Sequence, residues 1–287
     1  MRRSSPAASR RRLSVVDGFP QPVQAFACDL DGTLIGRRAV LGDRTLAAIA
    51  RSQAAGVPVL VATGRMFRSV EPYLERAAIR EPVVCYQGAA VVDPETREFL
   101  LHEPLDLDVA REAIAALQSQ GLSPNVYVDD RLYVAEETEY SRAYSGFQRL
   151  AVTEVGDLLG WLERGPTKLV AVADPERLAE VRVDLEQVFG ARLFITTSLP
   201  HLLELGHPGA SKGSGIAFVA ELLRIDLAHV VAFGDGENDV ELLAEAGLGI
   251  AIEDAHPRLR AIADRTCRGP QDEGVAAVIE AVLDSRG

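Results

Sequence analysis

Apolar runs alternate with amphipathic segments from residue 23 onward. The spacing of apolar and polar positions predicts strands over residues 23–30, 57–62 and 82–86, and a helix over residues 43–55 that ends at Gly56. Strands that alternate with helices in this way are typical of parallel βαβ units. Ligands bind at the carboxyl ends of the strands in such sheets, so the residues that follow each strand are candidates for a functional site.

The pattern changes over residues 89–205, where polar turns separate short apolar runs. Hairpins are predicted over residues 91–101 and 126–134 and around Leu199, with helices over residues 107–120 and 175–188. Antiparallel hairpins with intervening helices are typical of an α+β unit. The alternating order then returns, with predicted helices over residues 211–223, from Asn238 and over 275–283, and strands over residues 229–233 and 248–252.

These patterns predict two domains. Residues 23–88 and 206–287 are expected to form a doubly wound parallel α/β core, into which residues 89–205 insert as a smaller α+β domain. Residues 1–22 are rich in Arg, Ser, Ala and Pro and are expected to be a flexible tail. The arginines at positions 10–12 are not followed by the apolar stretch that an export signal requires.

Composition excludes several classes of protein. The 287-residue chain has a net charge of −12, and five of its 30 basic side chains lie in the first twelve residues. The remaining 25 basic side chains stand against 42 acidic ones, which argues against nucleic-acid binding through a broad basic surface. No apolar run reaches the about 18 residues of a membrane span. The three cysteines, at positions 28, 85 and 267, form no disulfide or metal-binding pattern and fit a reducing, cytoplasmic compartment.

Two carboxylates, Asp29 and Asp31, follow the first predicted strand in the segment Phe-Ala-Cys-Asp-Leu-Asp-Gly-Thr-Leu. Because the chain turns at Gly32, both can reach one ligand. One carboxylate can act as a nucleophile and the other as general acid and base, if a metal or hydrogen-bond donors keep the first ionised. Taken alone, an Asp-X-Asp pair is better explained as a solvated turn.

Thr63, Gly64 and Arg65 follow the second predicted strand and precede a helix. A hydroxyl and an unhindered backbone N–H at a helix start can bind an anion. Thr-Gly is also a common turn, and Arg65 can face a ligand or pair with a surface acid.

Lys212 lies in a glycine-rich segment before a predicted helix, and only one other lysine, Lys168, occurs in the chain. The segment is not a nucleotide-binding P-loop, because there the lysine follows the last glycine of the motif. Lys212 can hold a phosphoryl oxygen and a nucleophilic carboxylate together. The alternative is an exposed lysine at a helix start.

The segment Gly-Asp-Gly-Glu-Asn-Asp, residues 234–239, follows another apolar strand. Carboxylate and amide oxygens at a strand end suit Mg²⁺. Neither His nor Cys is nearby, so zinc is not indicated, and the acids do not have the spacing of a calcium-binding EF-hand loop.

Together the four segments resemble, in order, the motifs of the haloacid dehalogenase superfamily, and specifically its Cof-type phosphatases with a large α/β cap after the third core strand. The resemblance covers nearly all of residues 24–285. It implies that Asp29 attacks a phosphoryl group to form an aspartyl-phosphate, and that Asp31 protonates the leaving alkoxide and then activates water. The dehalogenase branch lacks the second acid, so Asp31 favours phosphoryl transfer over carbon–halogen cleavage.

The resemblance also implies a cofactor and a phosphate site. Mg²⁺ is expected on Asp29, the backbone carbonyl of Asp31 and Asp235, whereas Asp239 is expected to orient a metal-bound water or Lys212. Many relatives carry Asn where Gln87 and Asp254 stand here. The phosphate is expected to be held by the backbone amides of Leu30 and Gly64 and by the side chains of Thr63, Lys212 and Asn238.

The expected function is therefore a Mg²⁺-dependent phosphatase of small phosphorylated metabolites such as sugar phosphates, flavin mononucleotide or pyridoxal phosphate. A phosphomutase or a dedicated sugar-phosphate phosphatase is the alternative among enzymes. A catalytically silent sensor of phosphometabolites is the alternative outside them, although a binding protein has no need of the acid Asp31. The inserted domain is expected to set the specificity, the chain to be a monomer or homodimer, and neither nucleic acid nor membrane to be a partner.

Overall fold

A computed structural model describes residues 15–16, 18–148 and 150–285 of the chain. Within these residues it contains ten α-helices, namely α1 (Asp43–Ala54), α2 (Phe67–Arg76), α3 (Leu107–Ser119), α4 (Glu139–Gln148), α5 (Leu158–Trp161), α6 (Pro175–Phe189), α7 (Lys212–Leu223), α8 (Val240–Glu245), α9 (Pro257–Ile262) and α10 (Gly274–Asp284). The strands are β1 (Val15–Val16), β2 (Phe19–Pro20), β3 (Ala25–Cys28), β4 (Val59–Val61), β5 (Val83–Cys85), β6 (Ala90–Val92), β7 (Phe99–His102), β8 (Asn125–Val128), β9 (Arg131–Val134), β10 (Val152–Glu154), β11 (Lys168–Val172), β12 (Phe194–Leu199), β13 (Leu202–Gly206), β14 (Val230–Gly234), β15 (Leu248–Ile252) and β16 (Arg265–Cys267).

The core of the molecule is a five-stranded parallel sheet with the order β16-β15-β14-β3-β4. Its central strands are apolar over their whole length because both faces of a parallel sheet are covered. All four residues of β3 and all five of β14 are buried. Helix α1 packs against α10, and α7 packs against α8. The predicted parallel α/β core is confirmed.

The third predicted strand, β5, joins this sheet through a single parallel bridge between Ala62 and Val84. It pairs more extensively with β6, which pairs with β7, and both pairings are antiparallel. The β6–β7 hairpin, assigned from its pattern to the inserted domain, thus continues from β5, and Ala90, Val91 and Val92 are buried in the same apolar cluster as the core.

The second large sheet has six strands in the order β10-β9-β8-β11-β13-β12. The predicted hairpins are present in it as β8–β9 and β12–β13. Asp129 and Asp130 at the first of these turns both have positive φ, as the favoured two-residue hairpin turn requires. We propose that this sheet and its helices form the inserted cap, which then starts after His102 rather than at residue 89.

The two faces of the cap sheet pack against different parts of the molecule, because successive residues of a strand point to opposite faces. Leu169, Leu203 and Leu205 belong to a cluster that also contains residues of α3 and α6. Tyr127 and Val170 lie on the other face and belong to the apolar cluster of the core. The cap sheet therefore packs one of its faces against the core.

The amino-terminal region is partly structured. Strand β1 pairs with β2, and Phe19 is buried beneath the guanidinium of Arg265, 4.8 Å from the ring centre. Of the predicted tail of residues 1–22, residues 1–14 and 17 lie outside the described residues, whereas Phe19 is buried in the apolar cluster of the core. Across the described part of the chain, the helices are all too short or too polar to cross a membrane.

Candidate active site

The four sequence motifs converge at the carboxyl edge of the parallel sheet. Strands β3, β4 and β14 end just before Asp29, Thr63 and Asp235, and parallel strands bring their carboxyl ends to one edge. A cleft lies between this edge and the cap sheet. The predicted site residues that line it are Asp29, Asp31, Thr63, Gly64, Lys212, Asp235 and Asn238.

Lys212 is buried at the first position of α7. Its Nζ donates hydrogen bonds to Asp29 Oδ1 and to Asp239 Oδ1, each at 2.6 Å. The start of the helix is held by a capping box between Ser211 and Ser214. Burial acts to lower the pKa of Lys212, but the carboxylates of Asp239 and Asp29 outweigh it and raise the pKa above its ordinary value. Lys212 is thus a buried, charged side chain that binds two carboxylates, and not an exposed lysine.

Asp29 is 3% exposed, and only one of its two oxygens is bonded to Lys212. The other oxygen, Oδ2, is buried and accepts no hydrogen bond within the described part of the chain. Burial raises the pKa of Asp29 well above its ordinary value, Lys212 opposes the shift, and the carboxylates of Asp239, Asp235 and Asp31 add to it. An ionised Asp29 therefore requires more positive charge than Lys212 supplies.

Three carboxylates form a cluster, since one oxygen of each of Asp29, Asp235 and Asp239 lies within 4.8 Å of the others. Both oxygens of Asp239 are already used, by Lys212 and by the backbone N–H groups of Asp235 and Gly236 at 2.9 and 2.8 Å. Burial, together with the Asp239 carboxylate, raises the pKa of Asp235 to about 7. These residues fit a divalent cation on Asp29 and Asp235, with Asp239 holding Lys212 and the loop.

Arg65 is paired with Asp31. Its Nε and Nη2 each donate to one carboxylate oxygen of Asp31 at 2.6 Å. The Asp31 side chain is 30% exposed, whereas that of Arg65 is 3% exposed and its guanidinium lies 5.4 Å from the ring centre of Tyr73. The backbone N–H of Arg65 also donates to Thr63 Oγ1, which fixes the turn after β4. Of the two sequence-based alternatives for Arg65, the structure shows pairing with an acid, and that acid is in the site.

Gln87 connects the core to the cap. Its side chain accepts a hydrogen bond from Asn238 Nδ2 at 2.9 Å and donates one to Glu204 Oε2 at 3.2 Å. Gly64 allows this position, because a Cβ there would lie 2.3 Å from Gln87 Nε2. Gln87 therefore links Asn238 to the cap through hydrogen bonds.

Sequence reasoning missed the part of the cavity wall that the cap supplies. Lys168 and Glu204 carry a signal in the sequence, because each is a charged residue in an otherwise apolar strand. The other cap side chains that line the cavity have no sequence feature that distinguishes them from ordinary surface residues. The cap residues that line the cavity are Gln148, Lys168, Ser198, Leu199, Leu202 and Glu204.

Comparison with known proteins gives a consistent family assignment. The family model of the haloacid dehalogenase-like hydrolases, which describes their sequences, matches residues 26–279 of this chain. An HMP-PP phosphatase of Cronobacter sakazakii is 31% identical over 238 residues, which are 82% of this chain and 86% of that protein. The 5-amino-6-(5-phospho-D-ribitylamino)uracil phosphatase of Bacillus subtilis is 29% identical over 260 residues, or 89% and 96% of the two chains.

Solved structures support the same fold. A haloacid dehalogenase-like hydrolase from Bacteroides thetaiotaomicron superimposes with a TM-score of 0.81 at 23% identity, over 90% of this chain and 99% of that one. The predicted resemblance and the predicted enzyme class, a phosphatase, are both confirmed. This chain belongs to the haloacid dehalogenase-like hydrolase family.

Proposed function

We propose that this phosphatase hydrolyses phosphoric monoesters of small metabolites through an aspartyl-phosphate on Asp29, with Mg²⁺ as its cofactor. The proposal rests on the environment of the Asp29 carboxylate. It lines the cavity, one of its oxygens is held by Lys212, and the other is buried without a hydrogen-bond partner among the described residues. A fixed carboxylate with one unused oxygen is suited to act on an electrophile or to bind a cation.

Two steps follow from the positions of Asp29 and Asp31. In the first, an oxygen of Asp29 forms a bond to phosphorus, the ester P–O bond breaks, and Asp31 gives a proton to the departing alkoxide. In the second, Asp31 takes a proton from water, whose oxygen attacks the phosphorus, and the bond to Asp29 breaks to release phosphate. Asp31 must therefore alternate between acid and base, and it lies at the cavity with 30% of its side chain exposed.

The remaining motif residues hold the reacting groups. Lys212 keeps Asp29 oriented and brings a positive charge next to it. Thr63, the backbone amides of Leu30 and Gly64, and Asn238 would hold the phosphate oxygens. The residues that would hold Mg²⁺ are Asp29, Asp235 and the backbone carbonyl of Asp31, and the bound cation would neutralise charge on the transferring oxygens.

The named relatives support a small-molecule substrate. One is named for HMP-PP and another for a phosphorylated ribitylaminouracil, so both names describe low-molecular-weight phosphates. The position of the site in a cleft between core and cap supports the same size class, because small-molecule sites are concave.

The test is phosphate release from p-nitrophenyl phosphate, acetyl phosphate and a broad panel of phosphorylated metabolites, with and without Mg²⁺. Asp29→Asn is expected to lower turnover by at least about 10³-fold, as loss of a nucleophile does, while the melting temperature shows that the fold is kept. Asp184→Asn, a change of an exposed aspartate in α6, is the matched control and should have no effect. If no compound on the panel releases phosphate, the proposed function is wrong.

A further inference from the structure

The cap contributes a buried ion pair to the wall of the cavity. Lys168 Nζ lies 3.0 Å from Glu204 Oε2, and the two side chains are 4% and 5% exposed. They lie on the core-facing side of the cap sheet, where Lys168 is the register partner of Tyr127 and Glu204 that of Val170. A buried ion pair is often no more stabilising than two apolar side chains of the same volume. Its presence in the wall of an enzyme cavity is thus better explained by binding than by stability.

Both charged groups reach across to the core. Lys168 Nζ donates a hydrogen bond to the backbone carbonyl of Gly64 at 2.7 Å. Glu204 Oε2 accepts one from Gln87, which in turn binds Asn238. Gly64 and Asn238 are residues expected to hold the phosphate, so the ion pair lies directly on the cap side of the phosphate site. A group esterified to the phosphate can extend toward this side.

The free space beside the ion pair is too small for a phosphorylated metabolite. The space open to the centre of a water-sized sphere is about 40 Å³, which is room for no more than a few water molecules. A leaving group that contacts Lys168 takes the place of the Gly64 carbonyl, which is its partner in the core. Lys168 and Glu204 keep each other as partners, and a substrate hydroxyl would restore the hydrogen bond that Lys168 makes to Gly64.

Cap residues help to fix the position of the ammonium group. The Lys168 Nζ lies 5.1 Å from the ring centre of Tyr127 and 5.9 Å from that of Tyr86. Tyr127 is fixed in turn by a hydrogen bond of 2.6 Å to the hydroxyl of Tyr144. Because Tyr127 and Tyr144 are both cap residues, the cap keeps Lys168 in place when its bond to Gly64 is lost.

We propose that Lys168 and Glu204 bind the leaving group of the substrate and select a leaving group that carries hydroxyl groups. A hydroxyl can accept a hydrogen bond from the ammonium of Lys168 and donate one to the carboxylate of Glu204, which an alkyl group cannot do. A site that hydrogen-bonds a substrate hydroxyl discriminates strongly against the analogue without it. The inference rests on the proposed function, since it assigns the part of the substrate that lies beyond the reacting phosphate.

The test compares kcat/KM for ribose 5-phosphate and glucose 6-phosphate with that for n-butyl phosphate, an ester without hydroxyl groups. The wild type is expected to prefer at least one sugar phosphate by tenfold or more. The double variant Lys168→Met with Glu204→Met replaces the pair by two apolar side chains, so no lone charge is left buried. It should lose at least tenfold of the preference, because its kcat/KM falls more for the sugar phosphates than for n-butyl phosphate or for acetyl phosphate, whose acetyl group has no hydroxyl.

An exposed ion pair of the cap provides the matched control. Arg192 and Glu112 lie 2.8 Å apart at the surface, and the double variant Arg192→Met with Glu112→Met should leave all rates unchanged. If Lys168→Met with Glu204→Met does not fold, Lys168→Gln with Glu204→Gln is measured in its place, with the same expected loss of preference.

The outcomes separate the inference from the proposed function. A wild type without preference for either sugar phosphate, or a double variant that retains it, overturns the inference. An equal loss on acetyl phosphate and on the sugar phosphates also overturns it, because it shows a structural role. A wild type that fails to hydrolyse even acetyl phosphate contradicts the proposed function instead.

Discussion

Arg65 binds both carboxylate oxygens of Asp31, each at 2.6 Å. The guanidinium also donates to Ser69 Oγ at 3.1 Å, and Ser69 donates to the Gln148 side chain of α4 at 2.8 Å. The planar fork of an arginine fixes the orientation of a carboxylate as well as its position. The residue proposed as acid and base is therefore held by a buried arginine, which is in contact with a cap helix through one serine.

We expect Arg65→Met to lower kcat/KM for an alkyl phosphate by about tenfold to 100-fold, because Asp31 loses its orientation as proton donor. Acetyl phosphate should be affected less, since acetate leaves without a proton. Arg65→Lys should recover only part of the loss, because an ammonium cannot form the two parallel bonds. Steady-state kinetics on both substrates measures this, with Arg76→Met on the exposed side of α2 as the control. An equal loss on both substrates would contradict a role through Asp31.

The two proposed steps can be separated by Asp31→Asn. An amide cannot take a proton from water, so the second step should become slow while the attack of Asp29 on acetyl phosphate remains. We expect the phosphorylated protein to accumulate and kcat to fall by at least about 100-fold, in line with general-base catalysis. Intact-protein mass spectrometry after mixing with acetyl phosphate detects the phosphoryl group. If no phosphoryl group is found on Asp31→Asn under conditions in which the wild type turns over, the proposed aspartyl-phosphate intermediate is contradicted.

Binding of Mg²⁺ should depend on pH through Asp235, whose pKa is raised from 3.8 to about 7 in the metal-free protein. Between these values the folded state holds a proton that the unfolded state has lost, so Asp235 makes metal-free stability fall as the pH rises from about 4 to 7. The cation needs the ionised carboxylates of Asp235 and Asp29, whose pKa values are both raised, so at pH 5.5 it must displace protons and should bind at least about tenfold more weakly than at pH 8. The stabilisation by Mg²⁺, measured as a shift in melting temperature, should accordingly be larger at pH 8.

A matched variant tests the assignment to Asp235. In Asp235→Asn there is no carboxyl to titrate at this position, so the remaining effect of Mg²⁺ should be small and should vary less between pH 5.5 and 8 than in the wild type. A wild-type shift that is the same at both pH values would show that Asp235 does not bind the cation.

Gly88 permits the contact that places Lys212. Its φ is +101°, and a Cβ there would lie 1.9 Å from the backbone carbonyl oxygen of Ser211, the residue before Lys212. We expect Gly88→Ala to destabilise the fold by roughly 2 to 4 kcal/mol through strain and overlap with backbone. Gly56→Ala is the control, because φ is +72° there and no atom lies within 4 Å of the added methyl, so it should cost only about 1 to 2 kcal/mol. Denaturant unfolding compares the two, and similar costs would show that Ser211 can move.

The local features of the site were predictable from the sequence. Asp29, Thr63 and Asp235 each follow an apolar run, and a run of buried residues that ends at a polar turn is encoded by neighbours in the chain. The pairing of strands was less predictable. The hairpin of β6 and β7 has the same pattern as the cap hairpins, but its partner is β5, because an apolar pattern shows that a strand is buried and does not show which strand it joins.

The sequence by itself determined the parallel core, the ends of its strands and the chemistry of the motif residues, since these depend on periodicity and on residue type. Only the tertiary structure decided which charged side chains form ion pairs. Arg65 and Asp31 are 34 positions apart, and Lys168 and Glu204 are 36 positions apart. Such pairs depend on the order of strands in two sheets and on the packing of one sheet against the other. The residues that line the cap side of the cavity could therefore not be predicted from the sequence.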